Sequence, residues 1–325
     1  MPAHPGNTPI LARYRNTCVI GAGVIGASWA ALFLAHGLNV VINDPAPDIE
    51  GTVLGMLRKA APALKDLGLP HEGLEKNLRF EPDLEKAVAG ADLVQENGPE
   101  RTEWKQDLWA RIEKAAPKHA LLLSSSSARP ATLQAKKMQD PSRLLVGHPF
   151  NPPHLIPLVE VVPGEKTDPQ ATADAAAFYK ALGKVAPVLR KEIGGFVVNR
   201  LQRAIFREAC FLVKEGVVTI EELDDCVTNS VGLRWAVNGP FSSFYMGGGP
   251  TGFRGYFKQF GPGFVKSWAD HSPIEYSDEI AQLIIDQGDK AYADTPMEQM
   301  ENLRDQTQVA LLHAKAAVKK ANGQG

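Results

Sequence analysis

Hydrophobic and polar positions fall into two regimes along this chain. From Thr17 to about Pro163, short apolar runs alternate with stretches of helical periodicity, which predicts a mostly parallel sheet covered by helices. The strands expected are Thr17–Ile20, Asn39–Asn43, Leu93–Glu96, Ala120–Ser124, Leu144–His148 and Leu158–Val162, with a long helix from Asp48 to Leu67 that holds Pro62 as a point for a bend. Beyond Pro163 the strand signal nearly disappears. Asp168–Leu182 is helical, Val185–Leu189 is one further candidate strand, and Gly194-Gly195 opens a long amphipathic helix to about Glu215, where Gly216 stops it. Thr219 with Glu222 three residues on forms a capping box; Pro240 and Gly247-Gly248-Gly249-Pro250 break the chain; Ser277–Ala291 and Pro296–Lys320 are helical. The expected architecture is α/β: a doubly wound Rossmann-type domain at 13–192 and an all-helical domain at 193–320. Residues 1–12 and 321–325 are expected to be loose ends.

The first strand runs into Gly21-Ala22-Gly23-Val24-Ile25-Gly26. A GxGxxG between a strand and a helix permits a tight turn at the first glycine, close approach of a pyrophosphate at the second and helix–strand packing at the third, with phosphates at the helix N-terminus. Asp44 ends the second strand 23 residues beyond Gly21, where a carboxylate accepts from both ribose hydroxyls and repels a 2′-phosphate. Gly21, Gly23, Val24, Ile25, Gly26 and Asp44 therefore read as an NAD site. The alternative for Asp44 is the closing of a turn before Pro45.

Composition narrows the remaining possibilities. A chain of 325 residues suits two domains, and a net charge of −2 with interspersed signs supplies no basic surface for nucleic acid or an anionic membrane. Three cysteines form no disulfide framework and no metal motif, no apolar run reaches the ~18 residues of a membrane span, and the first residues lack the features of a signal peptide. A small-molecule partner, a cytoplasmic setting and no metal are the expectations.

Ligands of a doubly wound sheet sit at the carboxyl ends of its strands. There the chain carries Ser124-Ser125-Ser126-Ser127, then His148-Pro149-Phe150-Asn151, then Glu160 between apolar neighbours. Oxidising a secondary alcohol requires a base for the hydroxyl proton, and histidine, with an ordinary pKa of about 6.5, serves near neutrality. A carboxylate at Glu160 that accepts from the imidazole would fix its tautomer and stabilise the imidazolium. The plainer alternatives are a polar strand end for His148, an ion pair of Glu160 with Arg200 or Arg203, and a flexible turn for the serines.

Gly147-His148-Pro149-Phe150-Asn151-Pro152 with Leu158-Val159-Glu160, preceded by the serine run and followed by Gly195-Phe196-Val197-Val198-Asn199-Arg200, resembles the L-3-hydroxyacyl-CoA dehydrogenase superfamily over residues 16 to at least 245. The resemblance implies His148 as general base, Glu160 as its orienting partner, and Ser127 and Asn199 as donors to the substrate oxygen, with Ser126 the alternative serine. It also places Glu100 and Lys105 near the nicotinamide side of the cofactor, and it implies a homodimer formed through the helical domain, for which Phe196, Leu201, Ile205 and Phe211 offer apolar surface.

After Pro240 the chain continues for 85 residues in place of the thioester enzymes' tail, and in this it resembles the branch that acts on free hydroxy acids, L-carnitine dehydrogenase and the lambda-crystallin type. Trp235, Phe241, Phe244 and Tyr245 begin an aromatic-rich segment whose faces suit a quaternary ammonium. Arg234 or Lys266 suits a substrate carboxylate. The competing roles for the aromatics are a helical core or a subunit interface, and Gly261–Trp268 is similar to a phrase of the carnitine enzymes. The function expected is NAD-dependent oxidation of the 3-hydroxyl of a small hydroxy acid, like L-carnitine or L-gulonate. The alternatives are an L-3-hydroxyacyl-CoA dehydrogenase and a non-catalytic NAD-binding structural protein.

Overall fold

Each of the six apolar runs enters one seven-stranded sheet: β1 (Asn16–Ile20), β2 (Asn39–Asn43), β3 (Leu78–Phe80), β4 (Leu93–Glu96), β5 (Leu121–Ser124), β6 (Leu144–Pro149) and β7 (Val159–Pro163). The computed structural model describes residues 8–269, 277–292 and 296–323, without the side chains of 265–269, 281, 288–292, 297 and 300. The strand order is β3-β2-β1-β4-β5-β6-β7. All neighbours are parallel except β6 and β7, which pair antiparallel. Chain order reverses direction at β1, which has β2 on one side and β4 on the other, and this is the crevice where doubly wound sheets take ligands.

Strand residues alternate between two apolar layers. Val19, Leu121, Leu123, Leu145 and Val161 join Trp29, Phe33, Phe178 and Tyr179 on one face, while Cys18, Ile20, Leu122, Val146 and Val162 join Leu108, Trp109 and Ile112 on the other. Burial on both faces explains why the strands read as continuous apolar runs.

The helices are α1 (Pro9–Arg13), α2 (Val24–Ala35), α3 (Ile49–Asp66), α4 (Leu84–Val88), α5 (Thr102–Ala115), α6 (Ala131–Gln134), α7 (Pro169–Ala181) and α8 (Val198–Lys214), then α9 (Ile220–Cys226), α10 (Gly232–Val237), α11 (Pro240–Gly247), α12 (Phe253–Ala269), α13 (Asp278–Tyr292) and α14 (Met297–Ala321). Two compact units divide them. One runs to Val197 and takes in Asp305–Val309; the other comprises Val198–Arg304 and the chain from Ala310.

Three expectations need correction, and β3 is an addition to the expected strands. The segment before residue 13 is no loose end from Pro9 onward: α1 forms there, and Tyr14 is buried with its hydroxyl donating to Asp174 at 2.6 Å. Residues 1–7 and 324–325 lie outside the described residues. Strand β3 is too short to show a period. Val185–Leu189 follows the outer edge of β7 through two isolated bridges only, because Pro187 has no N–H to continue a ladder. The long helix starts at Val198, three residues after Gly195, because Gly195 and Phe196 have φ of +76° and +47°, outside the helical region. Its far end behaves as expected, with Gly216 at φ +67° and the Thr219–Glu222 capping box formed at 3.2 and 2.8 Å.

Candidate active site

The glycine loop fits a dinucleotide. Gly21 holds φ +75°, and a Cβ on Gly26 would stand 1.9 Å from the Gly21 carbonyl oxygen, so the turn and the start of α2 tolerate no side chain there. A Cβ on Gly23 would meet nothing within 4 Å, which leaves the loop open to a ligand. First-turn N–H groups at Val24 and Ile25 have no acceptor within α2, and such groups face anions. Asp44 accepts from the Ala22 N–H at 2.7 Å and the Ala46 N–H at 2.8 Å. Its carboxylate is thus fixed at the mouth of a cavity of about 630 Å³ lined by Gly21, Gly23, Asn43, Asp44, Gly98 and Trp104. The Ala46 contact closes the turn before Pro45 while the Ala22 contact ties the same carboxylate to the glycine loop, and the donor set suits NAD.

Behind that cavity lies a buried ion pair. Lys105 is 1% exposed and its ammonium meets both Glu96 oxygens, at 2.6 and 2.9 Å. Glu96 also accepts from the Gly98 N–H at 2.7 Å and the Ser124 hydroxyl at 2.8 Å. Lys105 is therefore no solvated helix start, and its influence on the cofactor pocket passes through Gly98.

Register brings His148 opposite Glu160. The antiparallel pairing of β6 and β7 sets these residues as partners, so Glu160, near the start of β7, reaches the carboxyl edge where β6 ends. The imidazole Nδ1 lies 2.8 Å from Glu160 Oε2, and both side chains are buried. Oε1 of the same carboxylate accepts from the Val197 N–H at 2.9 Å. The left-handed Phe196 backbone precedes that N–H, and the Phe196 ring packs on the imidazole at 5.5 Å, with Phe150 at 4.7 Å. With Nδ1 donating to the carboxylate, the neutral form of the ring is the tautomer that presents its lone pair at Nε2. Arg200 and Arg203, the other expected partners of Glu160, are exposed on α8.

The serine run is ordered by carboxylates and an amide. Ser124 donates to Glu96, Ser125 to the Asn97 side chain at 2.6 Å and Ser126 to Glu100 at 2.7 Å. Ser127 donates its N–H to Glu100 at 2.7 Å, with its hydroxyl 3.3 Å from the same oxygen. Ser126 is buried and Ser127 is partly exposed at the end of the run. Glu100 is exposed and gathers both serines, so it is part of a network and no mere helix start.

The helical unit carries the other expected site residues. Asn199 is the second residue of α8 and half-buried. Arg234 and Trp235 lie exposed on α10; Phe241, Phe244 and Tyr245 lie on α11. The rings of α11 and α12 pack on one another: Tyr245 on Phe253 at 5.3 Å, Phe244 on Tyr256 at 5.1 Å and Tyr256 on Phe260 at 5.0 Å. Trp235 joins no ring contact among the described residues. The side chains of Lys266 and Trp268 lie outside the described residues.

Some participants left no readable trace in the sequence. The loop between His148 and Glu160 is tied to α2 by the Ser28 hydroxyl, which accepts from the His154 N–H at 3.0 Å and shares a 2.8 Å hydrogen bond with His154 Nδ1. Lys184, buried over the Trp29 ring, donates to the Ile156 carbonyl at 2.9 Å and to that of Pro153, and burial pushes its ammonium down to about 7. These partners come from distant parts of the chain, and no local spacing marks them. Among the described residues no cluster of His, Cys, Asp and Glu is placed to hold a metal ion, and no helix is long and apolar enough to cross a membrane.

Comparison with known proteins gives a consistent result. Residues 16–193 match the 3-hydroxyacyl-CoA dehydrogenase NAD binding domain, and residues 195–271 match the 3-hydroxyacyl-CoA dehydrogenase C-terminal domain. An L-carnitine dehydrogenase of Streptomyces coelicolor is 41% identical over 300 residues, covering 92% of this chain and 94% of its own. A 3-hydroxyacyl-CoA dehydrogenase of Gibberella moniliformis is 40% identical over 308 residues, with 93% and 95% covered. Among solved structures, 5-formyl-3-hydroxy-2-methylpyridine 4-carboxylic acid 5-dehydrogenase, described as an NAD+ dependent dismutase, superposes with a TM-score of 0.79 at 31% identity over 93% of this chain and 98% of that one.

Proposed function

This chain belongs to the 3-hydroxyacyl-CoA dehydrogenase family and is an NAD-dependent oxidoreductase acting on a CH–OH group; from that premise we propose that it oxidises the 3-hydroxyl of a small free hydroxy acid resembling L-carnitine, with His148 as general base. The observation that carries the base is the 2.8 Å hydrogen bond from Nδ1 to a carboxylate whose other oxygen is also occupied. In that geometry Nε2 takes the hydroxyl proton, and Glu160 stabilises the imidazolium that results. A positioned base contributes about 10² to 10⁴ in rate. Gly21, Gly23, Val24, Ile25, Gly26 and Asp44 hold NAD, which when bound supplies the hydride acceptor. Ser127 and Asn199 hydrogen-bond the substrate oxygen, and Glu100 and the Lys105–Glu96 pair shape the nicotinamide side.

Support for a free acid comes from the carnitine enzyme, similar from end to end, and from a solved relative whose substrate is named as a carboxylic acid. The Gibberella moniliformis enzyme favours a second reading, oxidation of a coenzyme A thioester. Production of NADH, followed by absorbance with L-carnitine, L-gulonate and 3-hydroxybutyryl-CoA, separates them. L-Carnitine is expected to give the highest kcat/KM. A thioester preference of orders of magnitude would replace this reading by the second, and saturable NAD binding without turnover of any of the three would leave only an NAD-binding structural role. The enzyme is further proposed to be a cytoplasmic homodimer.

A further inference from the structure

We propose that Arg129 is the cation that receives the substrate carboxylate, an inference that rests on the free-acid reading above and adds the residue that enforces it. Ser124 pairs with Val146 across β5 and β6, and His148 stands two residues further along β6. Ser126 stands two residues beyond Ser124, so the turn at 125–129 leaves β5 at the same carboxyl edge at which the neighbouring strand β6 presents His148.

The backbone at Arg129 is held from both sides. Its N–H donates to the Ser126 hydroxyl at 2.8 Å, and its carbonyl accepts from Gln134 at 2.7 Å. Gln134 is fully buried and accepts in turn from the Trp109 indole at 2.8 Å. The guanidinium is left underused. Among the described residues its Nε, shielded from solvent, meets no acceptor, and the guanidinium makes one hydrogen bond, a long 3.4 Å contact from Nη2 to the Glu100 carbonyl. No carboxylate of the described residues lies within ion-pair distance of it, in contrast to Arg13 with Asp174 and Arg111 with Glu85. The Glu100 carboxylate, the natural candidate, is instead engaged by Ser126 and Ser127.

A half-buried guanidinium with an orphaned N–H calls for a planar anion that accepts in fork geometry. In a 3-hydroxy acid the carboxyl carbon is two bonds from the carbinol carbon, so a base at His148 and a cation on the adjoining turn can serve one small molecule. A thioester offers one neutral carbonyl oxygen at that position, which accepts a single hydrogen bond but forms neither the ion pair nor the fork.

The test uses the purified full chain with saturating NAD and whichever of L-carnitine and L-gulonate is oxidised faster, against the methyl ester of the same acid. The wild-type enzyme is expected to favour the acid. Arg129→Met should lower kcat/KM for the acid about tenfold to a hundredfold, mainly through KM, the scale of a hydrogen bond to a charged group. The ester should change by no more than about twofold, and Arg129→Lys should recover part of the acid activity. Equal losses on acid and ester, or an undiminished preference for the acid with NAD affinity intact, would overturn the inference and leave the free-acid reading standing. Turnover of 3-hydroxybutyryl-CoA alone by the wild type would overturn both. If Arg129→Met no longer binds NAD, Arg129→Lys decides: a raised KM for the acid and not for the ester supports the role, and equal values for both reject it.

Discussion

In the proposed reaction two carboxylates divide the work at the residue scale, one behind His148 and one at the glycine loop. Glu160 is proposed to act through His148, to which it is hydrogen-bonded at 2.8 Å, so Glu160→Gln should lower kcat by roughly a hundredfold while leaving the NAD dissociation constant unchanged. A matching loss of NAD affinity would show that the residue only holds the fold. Asp44→Ala should do the reverse, raising the NAD dissociation constant about tenfold or more, since it removes a charged acceptor held by the Ala22 and Ala46 N–H groups. Fluorescence titration measures it, and an unchanged constant would remove Asp44 from the site. The placement of these residues, Glu160 against His148 and Asp44 against the glycine loop, was legible in sequence because their types are rare at apolar strand ends. Phe196 was not: it reads as one more apolar residue of a helix face, whereas it is fully buried in the α/β unit and its left-handed backbone precedes the N–H that secures Glu160. A strained φ is set by tertiary context and leaves no period.

At the scale of elements, the loop from Phe150 to Leu158 joins the strands that set His148 opposite Glu160, and Lys184 pins it. Burial lowers this ammonium from 10.5 to about 7, so between those values the unfolded chain binds a proton that the folded one does not. Stability then rises with pH across that window, and the gain is lost as pH falls back to about 7. Urea unfolding should accordingly show the stability of the wild type relative to Lys184→Met growing from pH 6.5 to pH 9, and an equal gap at both would contradict the assignment. The start of α2 gives a second prediction. Gly26→Ala places a methyl group 1.9 Å from the Gly21 carbonyl, so it should cost about 1–3 kcal/mol of stability and weaken NAD binding, read by thermal unfolding with and without NAD. Strands β1, β2 and β4 to β7 were readable because burial on both faces makes them uninterrupted. β7 was readable as a strand but not as an antiparallel one, since direction depends on the loop before it. Helix α12 was hidden because it runs through Gly261-Pro262-Gly263, residues whose local preference opposes a helix.

For the whole molecule, the residues divide between two units: the α/β unit carries the glycine loop, His148 and the Arg129 turn, and the helical unit carries Asn199 and the aromatic cluster. Leu201, Ile205 and Phe206 on α8 are 53%, 43% and 63% exposed, an apolar face that fits the proposed homodimer. Sedimentation should give a dimer for the wild type and a shift towards monomer for Phe206→Glu, whereas a monomeric wild type would dispose of the dimer. This scale was the least legible, because the exposure of a helix face depends on how neighbouring helices pack. The proposed reaction begins with removal of one proton from a hydroxyl by His148 beside NAD, and a single-turnover measurement of NADH formation from L-carnitine by wild type and His148→Gln tests it most directly. The expected result is a loss of at least about a hundredfold in the His148→Gln rate with NAD affinity preserved. A rate within a few-fold of wild type would show that the imidazole is not the proton acceptor.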